Sequence, residues 1–236
     1  MKTLAKIALC ALIPAAMLCG CAKKTVNSEK ARQDYSRALD DSVSAIKQEI
    51  DSCRKQIKIL NDQSAIWLRD FTNVSNPREV GSYLIYTSFR NRYPLTQTGL
   101  VARINDNGQF ELIAALSGGR AFDQINVLGA DGGLSSDVVP HDQALNYRSE
   151  GLTTVCFTGA KADSIGQLIA DNELNPLTVN YLQGRAVSAW KIPNDYAKML
   201  SATYLLYKYR KDATRLERRV PMLEQKVSLI KSHQEK

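Results

Sequence analysis

The side chains best able to do chemistry gather in residues 129–147. Asp131, Asp137 and Asp142 surround His141 there, among Gly129, Gly132, Gly133 and Pro140. Carboxylates beside an imidazole in a cleft could bind a cation or exchange protons with a substrate. Their spacing fits neither an EF-hand nor a zinc pattern, and Asp and Gly also serve turns through backbone geometry alone. Asp131, Asp137, His141 and Asp142 therefore form the candidate ligand loop, with no metal or cofactor assigned to it. Cys156 is a second candidate, because a Cys156/His141 pair would supply a nucleophile and its base. Its setting, Thr153-Thr154-Val155-Cys156-Phe157, reads as a strand carrying a buried thiol.

Two glycine-containing stretches invite an anion. Ser117-Gly118-Gly119-Arg120 could form a nest of backbone N–H groups, although a plain turn is the simpler reading. Thr158-Gly159-Ala160-Lys161 precedes a short helix, yet it lacks the phosphate-loop spacing and Asp163 follows close behind. No G-x-S-x-G, H-E-x-x-H or paired C-x-x-C occurs.

The elements that hold these groups are mostly strands. Residues 73–192 read as a β-rich domain, a small sandwich or partly open barrel with one short helix. Segments 82–89, 124–128 and 152–158 are rich in β-branched and aromatic residues. Segments 99–104 and 109–116 flank Asn105-Asp106-Asn107-Gly108, and segments 177–182 and 185–192 flank Gln183-Gly184, two hairpin signals. The short helix fits residues 163–171, with Asp163 or Ser164 as its N-cap and Ile165, Leu168 and Ile169 facing inward.

Two long helices flank this domain, giving an α+β chain. Leu39, Val43, Ile46, Ile50, Cys53, Ile57, Leu60, Ser64, Trp67 and Phe71 alternate at spacings of four and three. That is a heptad seam, and only Ser64 is out of character. Met199, Ala202, Leu206, Tyr209, Ala213, Leu216, Val220, Leu223, Val227 and Ile230 repeat the design, with Pro221 expected to kink or break the helix. Residues 31–72 and 193–236 are read as stalk helices 1 and 2. Each seam would run about 47–50 Å at 1.5 Å per residue. A chain that leaves by one helix and returns by the other predicts an antiparallel coiled-coil stalk. Phe71 and Trp67 would then lie near Met199 and Ala202, and Leu39 near Ile230. Helices packed flat on the domain, or a homodimer through either seam, are the competing arrangements.

The N-terminus reads as an export signal. Lys2 and Lys6 precede an eleven-residue apolar stretch over 7–17, too short at about 16 Å to span a hydrocarbon core of about 30 Å. Leu18-Cys19-Gly20-Cys21 then resembles the lipobox of bacterial lipoproteins, with Cys19 less usual at its place than Ala or Ser. The resemblance covers the targeting segment alone. It implies a signal peptide over 1–20, cleavage before Cys21 and acylation of that residue, with 21–30 a lipid-anchored linker. Two or three acyl chains hold a protein stably on a membrane, here the cell envelope and, with Ala22 rather than Asp next, its outer membrane.

Composition and charge complete the expectation. The chain has 236 residues, 44% of them hydrophobic, and a formal charge of +7. Those proportions exclude collagen, low-complexity disorder and a polytopic membrane protein. Residues 22–71 carry ten basic against eight acidic groups, residues 72–192 nine against eleven, and residues 193–236 ten against five. The basic excess therefore lies on the last helix. Nucleic acid is an improbable target for an exported, acylated protein, whereas acidic partners or anionic head groups suit it. The functional expectation is a non-enzymatic, lipid-anchored envelope protein that displays a β-rich binding or assembly domain on its stalk. An envelope hydrolase using the 131–142 loop, and a periplasmic adaptor subunit of a transport complex, are the alternatives. An envelope protein or a second copy through the helical seams are the expected partners besides the membrane.

Overall fold

The computed structural model describes residues 25–76, 79, 81–130 and 132–234. Their order is α1 (Thr25–Leu68), β1 (Phe71–Val74), β2 (Tyr83–Tyr86), a 3-10 helix (Thr87–Arg92), β3 (Gly99–Asn105), β4 (Phe110–Ser117), β5 (Gln124–Gly129), β6 (Gly132–Ser135), β7 (Asn146–Ser149), β8 (Leu152–Phe157), α2 (Gly159–Asp171), β9 (Leu177–Gln183), β10 (Arg185–Ile192) and α3 (Asn194–Gln234). The protein is thus α+β, with its strands between two long helices. Cys21 and the whole signal segment lie outside the described residues.

No glycine or proline interrupts residues 25–68, and α1 accordingly starts before the seam does. Of the ten seam positions, Val43, Ile46, Ile50, Cys53, Ser64 and Phe71 are buried and the other four half-buried. Ser64, the residue least suited to the pattern by type, is only 8% exposed. Seam residues of α3 are likewise buried or half-buried throughout, while Pro221 points outward within an unbroken helix. An outward proline loses one backbone hydrogen bond on the solvated side, and here the helix absorbs that loss.

The two helices lie against each other in opposite directions. Arg54 pairs with Glu224 at 2.7 Å, Glu49 with Arg219, and Gln234 donates to Asp40 at 3.0 Å. Asp40 meets Gln234 near the end of α3, whereas Glu49 and Arg54, further along α1, meet residues further back on α3, so the helices are antiparallel and both seams are turned inward within one chain. The last expected seam residue, Phe71, has left the helix. The chain turns at Arg69 and Asp70, and Phe71 opens β1, its ring meeting Tyr86 edge-on across the strand pair. Aromatic and β-branched residues at 71–74 favour that pairing over another helical turn.

Two antiparallel sheets follow, in the orders β1-β2-β3-β4-β8-β7 and β10-β9-β5-β6. Both expected hairpins are present, as β3–β4 and β9–β10. Side-chain alternation assigns the two faces of the larger sheet. One face carries Leu100, Ala102, Ile104, Phe110, Leu112, Ala114, Val155 and Phe157, all buried. The shared core also takes in Ile125, Val127, Val179 and Tyr181 of the smaller sheet, Ile165 and Ile169 of α2, and Leu200 and Tyr204 of α3. Tyr181 fixes the two sheets to each other, its hydroxyl donating to the Gly99 carbonyl at 3.1 Å.

α2 begins at Gly159, earlier than the expected cap. Asp163 is inside the helix, where it accepts from Tyr207 at 2.7 Å and pairs with Lys211 at 2.6 Å. It ties α2 to α3 rather than ending a helix. Gly166 allows the close approach behind this, since a Cβ there would come within 2.4 Å of Tyr204 and 2.9 Å of Phe110. The segments β1, β6 and β7 were not expected as strands. Each is four residues long, too short for alternation to show in sequence.

Candidate functional site

The second face of the larger sheet carries charge. Arg103 on β3 and Glu111 on β4 are cross-strand partners, and Val101, Ile113 and Cys156 form the next row. Three segments cover this face: Glu79 precedes β2, Tyr93, next to a cis proline, follows the 3-10 helix, and Ala144 and Leu145 lie in the turn before β7.

Arg103 is the hub. Its Nε donates to Glu111 at 2.6 Å, one Nη contacts Glu79 at 2.6 Å, and the other donates to the Tyr93 hydroxyl. Its guanidinium carbon also sits 3.6 Å from the centre of the Tyr83 ring. The side chain is 4% exposed, and its partners Glu79 and Glu111 are 20% and 10% exposed. Further donors complete the carboxylates: Asn76 bonds Glu79 at 2.7 Å and Asn105 bonds Glu111 at 2.8 Å. Burial opposes charge on Glu79, but hydrogen bonds from Arg103, Tyr83 and Asn76 and the Arg103 charge outweigh it and hold the carboxyl below its usual range. Burial likewise opposes charge on Arg103, and the adjoining Glu79 and Glu111 more than restore it.

Cys156 lies at the margin of this network, its sulfur 3.8 Å from Glu111 and 4.0 Å from Arg103. Burial, followed by the Glu111 charge, pushes its thiol up to about 12. At neutral pH it is a protonated, buried thiol, not an activated nucleophile.

Three hollows adjoin at Tyr147. The innermost, about 290 Å³, reaches Arg103, Glu111 and Cys156. A second, about 490 Å³, is lined by Glu79, His141, Gln143, Ala144, Tyr147 and Arg148. The third, about 290 Å³, runs past Pro94, Leu95, Thr96, Ser149, Glu150, Leu152 and Thr154. Together they form a cleft with an apolar floor, hydroxyl-bearing walls and a fixed ionic frame. The hairpin that supplies Tyr147 closes through Glu150 and Gly151 at φ of 53° and 78°. Positive φ at both central residues is what a tight type I′ turn requires, and glycine meets it without strain.

The expected ligand loop is only partly at this cleft. His141 lines it. Asp142 instead organises the turn leading to β7, its Oδ1 accepting the backbone N–H groups of Ala144, Leu145 and Asn146 at 3.0, 2.8 and 3.0 Å. Those bonds from Asn146 and Leu145 hold its carboxyl below the ordinary value. Asp137 pairs with Lys161 at 2.7 Å on the exposed start of α2. Asp131 lies outside the described residues. Among those described, no group of three or more His, Cys, Asp or Glu is placed to hold a metal ion. Ser117–Arg120 is a turn whose Gly119 N–H is taken by the Gly151 carbonyl at 2.8 Å.

Sequence reading missed Arg103, Glu111 and Glu79. One signal was available: counting back from the Asn105–Gly108 turn sets Arg103 opposite Glu111, an unlike pair inside two apolar strands. Comparison of the chain with protein-family models, curated proteins and solved structures gave no match.

Proposed function

We propose that this chain is a lipid-anchored cell-envelope protein, held through acyl chains on Cys21, most simply in an outer membrane. It displays its β-rich unit as a binding or assembly module on a coiled-coil stalk and works without catalysis. The observation that carries this reading is the α1–α3 pair: a seam of 3.5-residue period buried or half-buried over its length, bridged by charges immediately beside it. No helix among the described residues is long and apolar enough to cross a membrane. The two sheets around one core support a sandwich architecture, and the cleft at Tyr147 is its ligand site. Its lining carries Glu79, Glu111 and Glu150 against Arg103 and Arg148, a balance that favours a ligand of positive charge.

Labelling cells with an alkyne palmitate tests the anchor, and small-angle X-ray scattering of the purified protein tests the stalk. Label on the wild type, its loss in Cys21→Ser, and a rod-like scattering profile are the expected results. Label retained by Cys21→Ser overturns the anchor, and a compact profile overturns the stalk. The competing hydrolase reading is tested by activity profiling of Asp137→Ala, His141→Ala and Cys156→Ala. A hydrolytic activity lost in any of them replaces the non-catalytic reading.

A further inference from the structure

The two flanks of the α1–α3 pair are unlike. In heptad notation, with the seams at a and d, Glu49–Arg219 joins two g positions and Arg54–Glu224 joins two e positions. All g side chains, with the c positions beyond them, therefore share one flank, and all e and b side chains share the other. The e and b flank mixes both signs, with Asp40, Lys47, Asp51, Arg54 and Lys58 on α1 and Arg210, Glu217, Glu224 and Lys231 on α3. On the g and c flank, Glu49 is the one charge that α1 offers between residues 42 and 66. α3 supplies Arg215, paired with Asp212 at 3.1 Å, Arg219, paired with Glu49, and Lys226, with Arg218 at the border, so cations outnumber acids on this flank.

The same flank carries exposed apolar side chains from both helices. Ile59 and Ile66 on α1 are 56% and 62% exposed, and Met222 and Leu229 on α3 are 70% and 55% exposed. The antiparallel register staggers these residues along the pair instead of stacking them. Leu216, Met222 and Leu223 floor a hollow of about 590 Å³ whose rim is Arg215, Arg219 and Lys226. The seam residues from Leu216 to Ile230 are only half-buried. Two helices alone leave this stretch of the seam partly open.

We propose that this flank docks an acidic amphipathic helix of another envelope protein, completing a three-helix bundle. Apolar residues of the incoming helix would bury Met222, Leu229, Ile59 and Ile66 together with the open edge of the seam. Acidic residues on its margins would face the cationic rim, which sets both partner choice and orientation. A second copy of this chain would set that rim against its own like. A bilayer surface asks for one broad apolar face sunk about 5–10 Å among lipids, whereas these apolar residues are divided between two helices around a recessed floor.

The proposal's docking surface rests on the stalk reading, and only the envelope location of its partner rests on the anchor. It is tested on the full chain with a fluorescent helical peptide of about 30 residues, leucine in its own a and d positions and glutamate beside them. A matched peptide has lysine in place of glutamate. Fluorescence anisotropy is expected to give at least about tenfold tighter binding of the glutamate peptide, weakened by added salt. Ile59→Gln combined with Met222→Gln should cost at least about tenfold, while Ser44→Glu with Ser228→Glu on the other flank should not. Equal binding of both peptides, or equal loss from either flank, overturns the proposal. Self-association that the Ile59→Gln/Met222→Gln variant abolishes also overturns it, as does uptake by phosphatidylglycerol vesicles with the same dependence. Scattering on the same samples separates the two readings: loss of the rod sinks the stalk, whereas an intact rod without peptide discrimination sinks the docking surface alone.

Discussion

Arg103 and Glu111 stand directly opposite each other on β3 and β4, and the guanidinium Nε donates to the carboxylate across 2.6 Å in the interior of the protein. A pair this deep does not arise as a gain in stability alone, because both charges give up hydration to reach it. What it does is fasten loops. Arg103 reaches Glu79 and Tyr93, and with them the chain that walls the cleft.

Removing the hub should therefore be severe. Arg103→Met leaves Glu79 and Glu111 buried without a counter-charge, and a loss of about 3–5 kcal/mol is expected in urea unfolding. Combining it with Glu79→Gln and Glu111→Leu should recover most of that loss. A single variant within about 0.5 kcal/mol of wild type would mean the network contributes nothing.

Acid should undo the same network. The Glu79 carboxyl is held below its ordinary value of 4.5 in the fold, so the folded state binds fewer protons than the unfolded one near that pH. Its contribution is complete above 4.5 and is lost as pH falls through the folded value. Urea midpoints measured from pH 7 down to pH 3 should fall more steeply for wild type than for Glu79→Gln. Parallel slopes would contradict the assignment.

Both described cysteines should resist alkylation. Cys53 and Cys156 are free and buried, and the Cys156 thiol is pushed up to about 12 by burial and Glu111. Iodoacetamide at pH 8 should leave both unmodified in native protein and modify both in urea, as read by mass spectrometry. Rapid native labelling of Cys156 would place it on an open surface instead.

The helix seam was legible because a 3.5-residue period constrains every position, and even Ser64 followed the pattern rather than its own polarity. The ionic face was not. An arginine in a strand reads as solvent-facing, and only the segments around Glu79, Tyr93 and residues 139–145 make it interior. Those loops are set by contacts distant in sequence, where no local period operates. The aspartates drew notice by type, yet Asp142 serves a turn and Asp137 a surface pair.

Position in the seam should outweigh residue type along α1. Ile50, 6% exposed, should cost about 2–5 kcal/mol as Ile50→Ala, whereas Ile59, 56% exposed, should change stability by no more than about 0.5 kcal/mol as Ile59→Ala. Thermal unfolding of the two variants checks this, and equal effects would contradict the inward seam.

Gly166 sets a tighter limit. Alanine there improves helix propensity by about 1 kcal/mol but forces its methyl into Tyr204 and Phe110. Overpacking of this kind costs about 1–3 kcal/mol. Gly166→Ala should be the less stable protein in calorimetry, and a raised melting temperature would show that the aromatic rings yield.

The Asp40–Gln234 contact closes one end of the helix pair, and the β-rich unit closes the other. The two strands of chain that enter and leave this unit therefore run side by side. A tensile load applied across residues 40 and 234 would not shear the seam as a whole. It would peel the helices apart like a zipper, one heptad after another, from that end toward Trp67. Until the peel reached Lys211, whose pair with Asp163 ties α3 to α2, the sheets and the cleft would bear none of the force. Under such a load the outer half of the helix pair would give way in small steps while the β-rich unit stayed folded.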